Sequence, residues 1–166
     1  VLRVLNGQLV KIALAQEHDK VLRRGELERP AARFNRKGQD ALYLSPDELS
    51  ARVAIGQYVT PETSERVLLT FDLSDCRLCD LRHPDAAELY ELARQPWIAP
   101  LEAGATPPSW SAADEIRKAG FDGLIDPSRR RPGLWHVTLF RWNEGDGPKV
   151  RSIGSPKPIR LTCDFS

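Results

Sequence analysis

Two stretches of the chain carry residues whose types and spacing suit ligand chemistry. The first is RFNRKGQDALYLS, residues 33–45. Arg33 stands in a turn with Asn35 and Gly38, ahead of a short apolar run that reaches Tyr43. A guanidinium forks onto phosphate oxygens through two parallel hydrogen bonds, and a nearby glycine lets backbone come close to a ligand. Tyr43 offers a ring for stacking on a flat heterocycle and a hydroxyl for a hydrogen bond. The second stretch is DPSRRRPG, residues 126–133. There Ser128 can donate and accept, and Arg129 can meet phosphate. Each feature also has a plainer reading: a solvated basic turn, a core tyrosine with its hydroxyl at the edge, a basic hairpin loop. Spacing alone leaves both readings open.

Other candidates are weaker. Cys76 and Cys79 have the spacing of half a zinc site or a redox motif, but the third cysteine, Cys163, has no partner near it. Structural or incidental thiols are expected. His18, His83 and His136 are scattered without metal-ligand spacing, so no metal is expected. No phosphate-binding loop, dinucleotide fingerprint or serine nucleophile elbow occurs.

The elements that must position these residues follow from pattern. Residues 8–16 mix apolar and polar positions and read as a first strand or short helix; 23–40 are basic and turn-rich. Residues 41–44 read as a short buried strand. A helix then starts with Ser45 as N-cap, Pro46 in its first position and Glu48 completing a capping box, and runs to about residue 58 before Pro61. Residues 67–73, VLLTFDL, are the strongest strand signal. A helix is expected over 85–94, with Ala87, Leu89, Tyr90 and Ala93 facing inward. The proline-rich 95–109 reads as a loop or lid. Ser111 is the expected cap of a further helix that ends at Gly120. Short and long strands follow at 123–125 and 134–142, with a last strand at 159–165. Strands mixed with short helices, without regular alternation, indicate an α+β fold rather than a doubly wound sheet.

The 166 residues suit a single domain with a real core. A net charge of +1 gives no bulk electrostatic case for nucleic-acid binding. No apolar run approaches a membrane span, and the start is a poor secretory signal. Three cysteines make no disulfide framework, so a reducing cytoplasm is the expected location.

Taken together, the motifs resemble the RES domain family, toxins of bacterial toxin–antitoxin pairs. RFNRKGQDALYLS is similar to the family's GRFN–G–ALYLS block, and GFDGLIDPSRRRPGLWHVTLF to its block of Gly, Pro-Ser and Arg followed by a strand ending in Phe. The likeness is strongest over residues 15–145. It implies an ADP-ribosyltransferase-like fold of mixed sheets with short flanking helices, and a cleft that takes NAD as substrate. It also implies cleavage of NAD by water or phosphate, or transfer of ADP-ribose to a protein. On the matching positions it puts Arg33 at the diphosphate or ribose side, Tyr43 against nicotinamide and Ser128 beside the nicotinamide ribose. Phe34, Asn35, Gly38 and Arg129 complete the implied NAD-binding set. The implied partner is an Xre-like helical antitoxin that occludes the cleft in a hetero-oligomer.

The main departure is acidic. The family's glutamate comes from the helix after the tyrosine strand, usually eleven residues on, where this chain has Ala54. Glu48, Glu62 and Glu65 do not have that spacing. A carboxylate matters because losing nicotinamide builds oxocarbenium-like charge on the sugar, which a negative group stabilises. Three explanations stand: an engineered inactivation that allows a toxic protein to be expressed, a natural loss that leaves a binding module, or a different register with another glutamate serving. The first is preferred, because Glu and Ala are both good helix formers and the exchange leaves the helix alone. Milder departures are Ala31-Ala32 in place of paired glycines, and His136 where a smaller polar residue is frequent.

Overall fold

β1 (Leu2–Leu14) and β3 (Arg66–Asp80) pair antiparallel along nearly their whole lengths. The other edge of β3 is shared. β6 (Lys149–Ile159) takes its first half antiparallel, and β4 (Gly123–Pro127) takes residues 78–80 in parallel. β4 pairs antiparallel with β5 (Trp135–Leu139), and β5 with β2 (Leu42–Leu44). The order is β1-β3-β4-β5-β2, with β6 beside β3. Past the end of β2, Ser45 and Val10 exchange both backbone hydrogen bonds, at 2.7 and 2.8 Å. The last strand of the order thus returns to the first, and the curved sheet closes on itself. The computed structural model describes residues 1–56 and 65–160.

Strand alternation sorts the side chains into two cores. Leu9, Leu42, Leu44, Leu69, Phe71, Leu78, Ile125, Val137 and Leu139 fill the inside of the curved sheet with Trp142. The opposite face, carrying Leu124 and Phe140, packs against α2 (Ala87–Ala93) and α4 (Pro108–Lys118) through Ala93, Ala112, Ala113 and Ile116. Small alanines on both helices let them sit close to each other and to the sheet. The fold is α+β with a mixed sheet, as the pattern implied.

Several local expectations shift for physical reasons. The backbone of Ser45 is committed to Val10, so the N-cap of α1 (Glu48–Ile55) is Asp47, whose carboxylate accepts from Ser50 N at 2.8 Å. Glu48 pairs with Arg52 instead of closing a capping box. Residue 58, the expected end of that helix, lies outside the described residues, as does most of the expected last strand at 159–165. β3 runs past Leu73 to Asp80 because Asp75, at φ 57°, takes up an irregularity in the β1–β3 register near Gly7. The 95–109 segment holds a short helix, α3 (Ile98–Glu102), and the first turn of α4. α4 starts at Pro108 with Pro107 as its cap, a proline being preorganised for the first helical turn. Ser111 is therefore inside the helix. β5 stops at Leu139, and the chain then turns so that Trp142 joins the inner core instead of continuing the alternation.

Gly123 leaves no room for a side chain between β4 and β5. A Cβ there would lie 2.0 Å from the Thr138 carbonyl oxygen and 2.9 Å from Leu139 Cα. Both are ladder backbone, so neither can swing away. Gly123→Ala is expected to destabilise the fold by about 1–3 kcal/mol or more, as overpacking does, read as a lower urea midpoint at unchanged slope.

Candidate active site

The face of β2, β5 and β4 that packs against the helices is not covered along its whole length. Register lays its residues in rows. One row is Tyr43, Thr138 and Leu124. In the next, His136 is paired with Asp126, and Ser45 reaches the imidazole from beyond the end of β2, its Oγ 3.0 Å from His136 Nδ1. Further along, Phe140 and Leu124 lie under α2 and α4. The open end of this face, with the turn 31–34 and helix α1 as walls, forms a cavity of about 690 Å³. Such a volume suits a ligand of nucleotide size.

The turn carrying Arg33 is clamped to the helical layer. The Trp110 indole donates to Ala32 O at 2.7 Å, Ser109 Oγ to Arg33 O, and Arg117 Nη2 to Phe34 O at 2.8 Å. The Arg33 guanidinium lines the cavity and donates to Ala93 O and Gln95 O at the C-terminal end of α2. Tyr43 also lines it. Its hydroxyl accepts from Phe34 N at 3.0 Å and donates to Asn35 Oδ1 at 2.6 Å. The hydroxyl therefore belongs to the scaffold, and the ring is what Tyr43 presents. Ser128 lines the opposite wall, its Oγ accepting from Arg131 N. Arg129 lies beside it and pairs with Asp126 at 2.9 and 3.0 Å.

Arg33, Phe34, Tyr43, Ala54, Ser128 and Arg129 thus meet in one cavity, although 95 positions separate the first and fifth in sequence. Asn35 and Gly38 do not line it. Asn35 is buried and braces the turn by donating to Pro30 O and Arg36 O. Gly38 has φ 79°, and a Cβ there would lie 3.0 Å from the Leu27 carbonyl oxygen, which makes it a turn residue. Ala54 faces the cavity from α1, with Ala51 one turn earlier on the same side. Among the described residues, the one carboxylate in the lining is Asp126; Glu48 and Glu65 are not part of it, and Glu62 lies outside the described residues.

Three lining residues were not assigned roles from pattern. Lys11 Nζ donates to Tyr43 O at 3.2 Å; burial and the nearby charge of Arg29 lower its pKa to about 8. Burial pushes the Asp126 carboxyl up, against the attraction of Arg129 and Arg33. Burial and the Arg129 charge lower His136 to about 4, so its imidazole is neutral at physiological pH. With Arg94 and Arg130, the cavity gathers five cationic side chains against one carboxylate. The chemistry it can support is recognition of a polyanion, with an aromatic ring and hydroxyls near a neutral imidazole.

The cysteines take no part. Burial raises the Cys76 thiol to about 12 and also raises Cys79, so both behave as inert core side chains. Cys163 lies outside the described residues. Among those residues no cluster of three metal-ligating side chains occurs, and no helix is long and apolar enough to cross a membrane.

Comparison with known proteins places the chain by family and by fold. The profile of the RES domain family matches residues 12–163. A chain of the M. tuberculosis MbcT–MbcA toxin–antitoxin complex shares the fold, with a TM-score of 0.63 at 15% identity, over 95% of this chain and 86% of that one. No curated protein sequence matches.

The lowered Lys11 pKa has a stability consequence. The unfolded chain holds this proton up to about pH 10.5 and the folded one to about 8, so stability rises with pH across that window. Below pH 8 the buried charge carries its full cost. Lys11→Met is expected to stabilise the protein at pH 7 by on the order of 1–2 kcal/mol, allowing for the part of the side chain that water reaches. In denaturant titrations at several pH values this gain should shrink as pH rises from 8 towards 10.5.

Proposed function

The chain belongs to the RES domain family, and we propose that it is the toxin of a bacterial toxin–antitoxin pair whose cleft breaks NAD between nicotinamide and ribose. The observation that carries this reading is the convergence of Arg33, Tyr43, Ala54 and Ser128 on one cationic cavity. NAD is a flat cationic ring, two riboses, a diphosphate and an adenine. Arg33, Arg129 and their cationic neighbours suit the diphosphate, where charge-assisted hydrogen bonds add both energy and orientation. The Tyr43 ring suits the nicotinamide face, and the Ser128 hydroxyl the adjacent ribose.

Cleavage of this bond needs little acid catalysis, because the nicotinamide nitrogen is already cationic and leaves as a neutral ring. What rises in the transition state is positive charge on the sugar. A carboxylate at position 54 would grip a ribose hydroxyl and oppose that charge; a methyl does neither. The present chain is thus read as an inactivated form, whether engineered or natural. Because Ala54 already faces the cavity from a helix capped by Asp47, a longer side chain there reaches the cleft without rebuilding the backbone.

The absence of a glutamate from the described lining favours one rival, a nucleotide-binding or interaction domain without turnover. Transfer of ADP-ribose to a protein is a further outcome of the same chemistry with a different acceptor. For the partner we propose an Xre-like helical antitoxin that occludes the cleft, in line with the solved toxin–antitoxin complex that shares this fold. The expected setting is the cytoplasm.

Ala54→Glu, folded and free of antitoxin, is expected to release nicotinamide from NAD about 10²-fold or more faster than the present chain, the scale of one well-placed electrostatic group. Product analysis with and without phosphate then identifies the acceptor. If that variant leaves NAD untouched, the assignment of position 54 is wrong; if this chain binds NAD tightly and Ala54→Glu still does not turn over, the rival stands. In a calorimetric titration of the present chain with NAD, Arg33→Ala should weaken binding by about tenfold or more, the loss of a charge-assisted pair.

A further inference from the structure

We propose that His136 is the general base that takes the proton from a hydroxyl-bearing acceptor as it attacks the ribosyl carbon. The inference rests on the reading of the cleft as a site of NAD cleavage. It concerns the half of the reaction that the electrostatic residues do not serve. In that step the bond from nicotinamide nitrogen to the ribosyl carbon breaks, and its electron pair leaves with neutral nicotinamide. A new carbon–oxygen bond forms to the acceptor. The acceptor's proton passes to His136 Nε2, and the imidazolium then returns it to solvent.

The geometry points to this side chain by its partners. His136 is on the cleft face of β5, opposite Asp126 of β4 and bonded through Nδ1 to Ser45 at the end of β2. When Nδ1–H donates to Ser45 Oγ, the lone pair of Nε2 is the free one, and no described residue is bonded to that nitrogen. Ser45 is buried and its backbone is fixed to Val10 on both sides, so it holds the ring rigidly. Ser45 is therefore a positioning residue. The other lining groups are poor bases. Lys11 Nζ is committed to the Tyr43 carbonyl, the arginines are cationic, Asp126 is held by Arg129, and the Tyr43 hydroxyl is spent on Phe34 N and Asn35.

The charges facing His136 are Arg129 from the loop after β4 and Asp47 from the cap of α1; burial and Arg129 prevail and keep the ring neutral. Its basicity is then closer to that of a carboxylate than of a free imidazole. That is enough for attack on an oxocarbenium-like carbon, where the acceptor becomes acidic as the bond forms, in the way carboxylates serve as bases in glycoside hydrolysis.

The test uses Ala54→Glu as the parent, in phosphate-free buffer, and compares it with Ala54→Glu/His136→Gln. Hydrolysis of NAD by the double variant should fall about 10²-fold in kcat with little change in KM. Sodium azide, an anionic nucleophile with no proton to lose, should restore nicotinamide release at least about tenfold and give ADP-ribosyl azide, because only the proton-transfer role has been bypassed. A structural role for His136 would give no such rescue. Unchanged kcat in the double variant, a rise confined to KM, or a loss that azide does not restore would each overturn the inference while leaving the NAD reading intact. Failure of the parent to release nicotinamide would overturn the assignment of position 54 and the inference together.

Discussion

The pair of backbone hydrogen bonds between Val10 and Ser45 is the constraint on which the molecule turns. A sheet in the order β1-β3-β4-β5-β2 has two free edges, and unpaired edges are a liability. Joining them at one residue pair closes the inner core around Phe71, Trp142 and their neighbours. The contact is short, however, so β1 and β2 part immediately beyond it. Lys11 reaches across to the carbonyl of Tyr43 there, and the cavity lies against the same join. Closure of the core and opening of the cleft are two consequences of one bridge. The same bridge fixes Ser45, and through it the orientation of His136 and the point from which α1 starts.

The cleft is costly in a way that the rest of the fold is not. A half-buried ammonium and a buried carboxyl stand in its wall, and both are shifted against their charged forms mainly by burial. Buried charges of this kind rarely add stability. The molecule holds them by clamps on the outer layer: three side-chain donors from α4 fasten the carbonyls of residues 32–34, and Arg117 also stacks 3.9 Å over Phe140. Stability stored in the alanine-rich packing of α2 and α4 thus supports a strained electrostatic wall beside it, the common balance between a folded scaffold and a preorganised site.

How much of this could be read from the chain depends on the range of the interaction. Local signals were legible. The Val67–Leu73 strand, the turn before Tyr43 and the helix that follows are all present, and Arg33, Tyr43, Ala54, Ser128 and Arg129 do share a cavity. Where one local signal competed with a tertiary partner, the partner won: Ser45 looks like an N-cap, but Val10 takes its backbone and Asp47 caps instead. Asn35 and Gly38 resemble ligand-side residues because turn chemistry and phosphate-loop chemistry use the same residue types. Lys11, Asp126 and His136 were not legible as lining residues, since each reaches the cavity only through register. His136 and Ser45 are 91 positions apart and meet because β2 and β5 pair with Leu44 opposite Val137. The alternation of β5 did place His136 and Thr138 on one face, which was the available signal.

The direction of helix side chains bears on what position 54 can do. Cα–Cβ bonds tilt towards a helix N-terminus, so a side chain covers the turn before it. From position 54 that turn is the one holding Ser50 and Ala51, and Ala51 is small. A longer group at 54 would therefore lean over Ala51 towards the start of α1, which is where Ser45 delivers its hydroxyl to His136. In the proposed reaction, a carboxylate at position 54 and the His136 imidazole would then approach the same sugar from two walls. One would face the departing charge and the other the arriving acceptor. A single closing bridge sets the spacing of those walls, so Val10, though it bonds only through its backbone, helps to shape the cleft that α1 and β5 line.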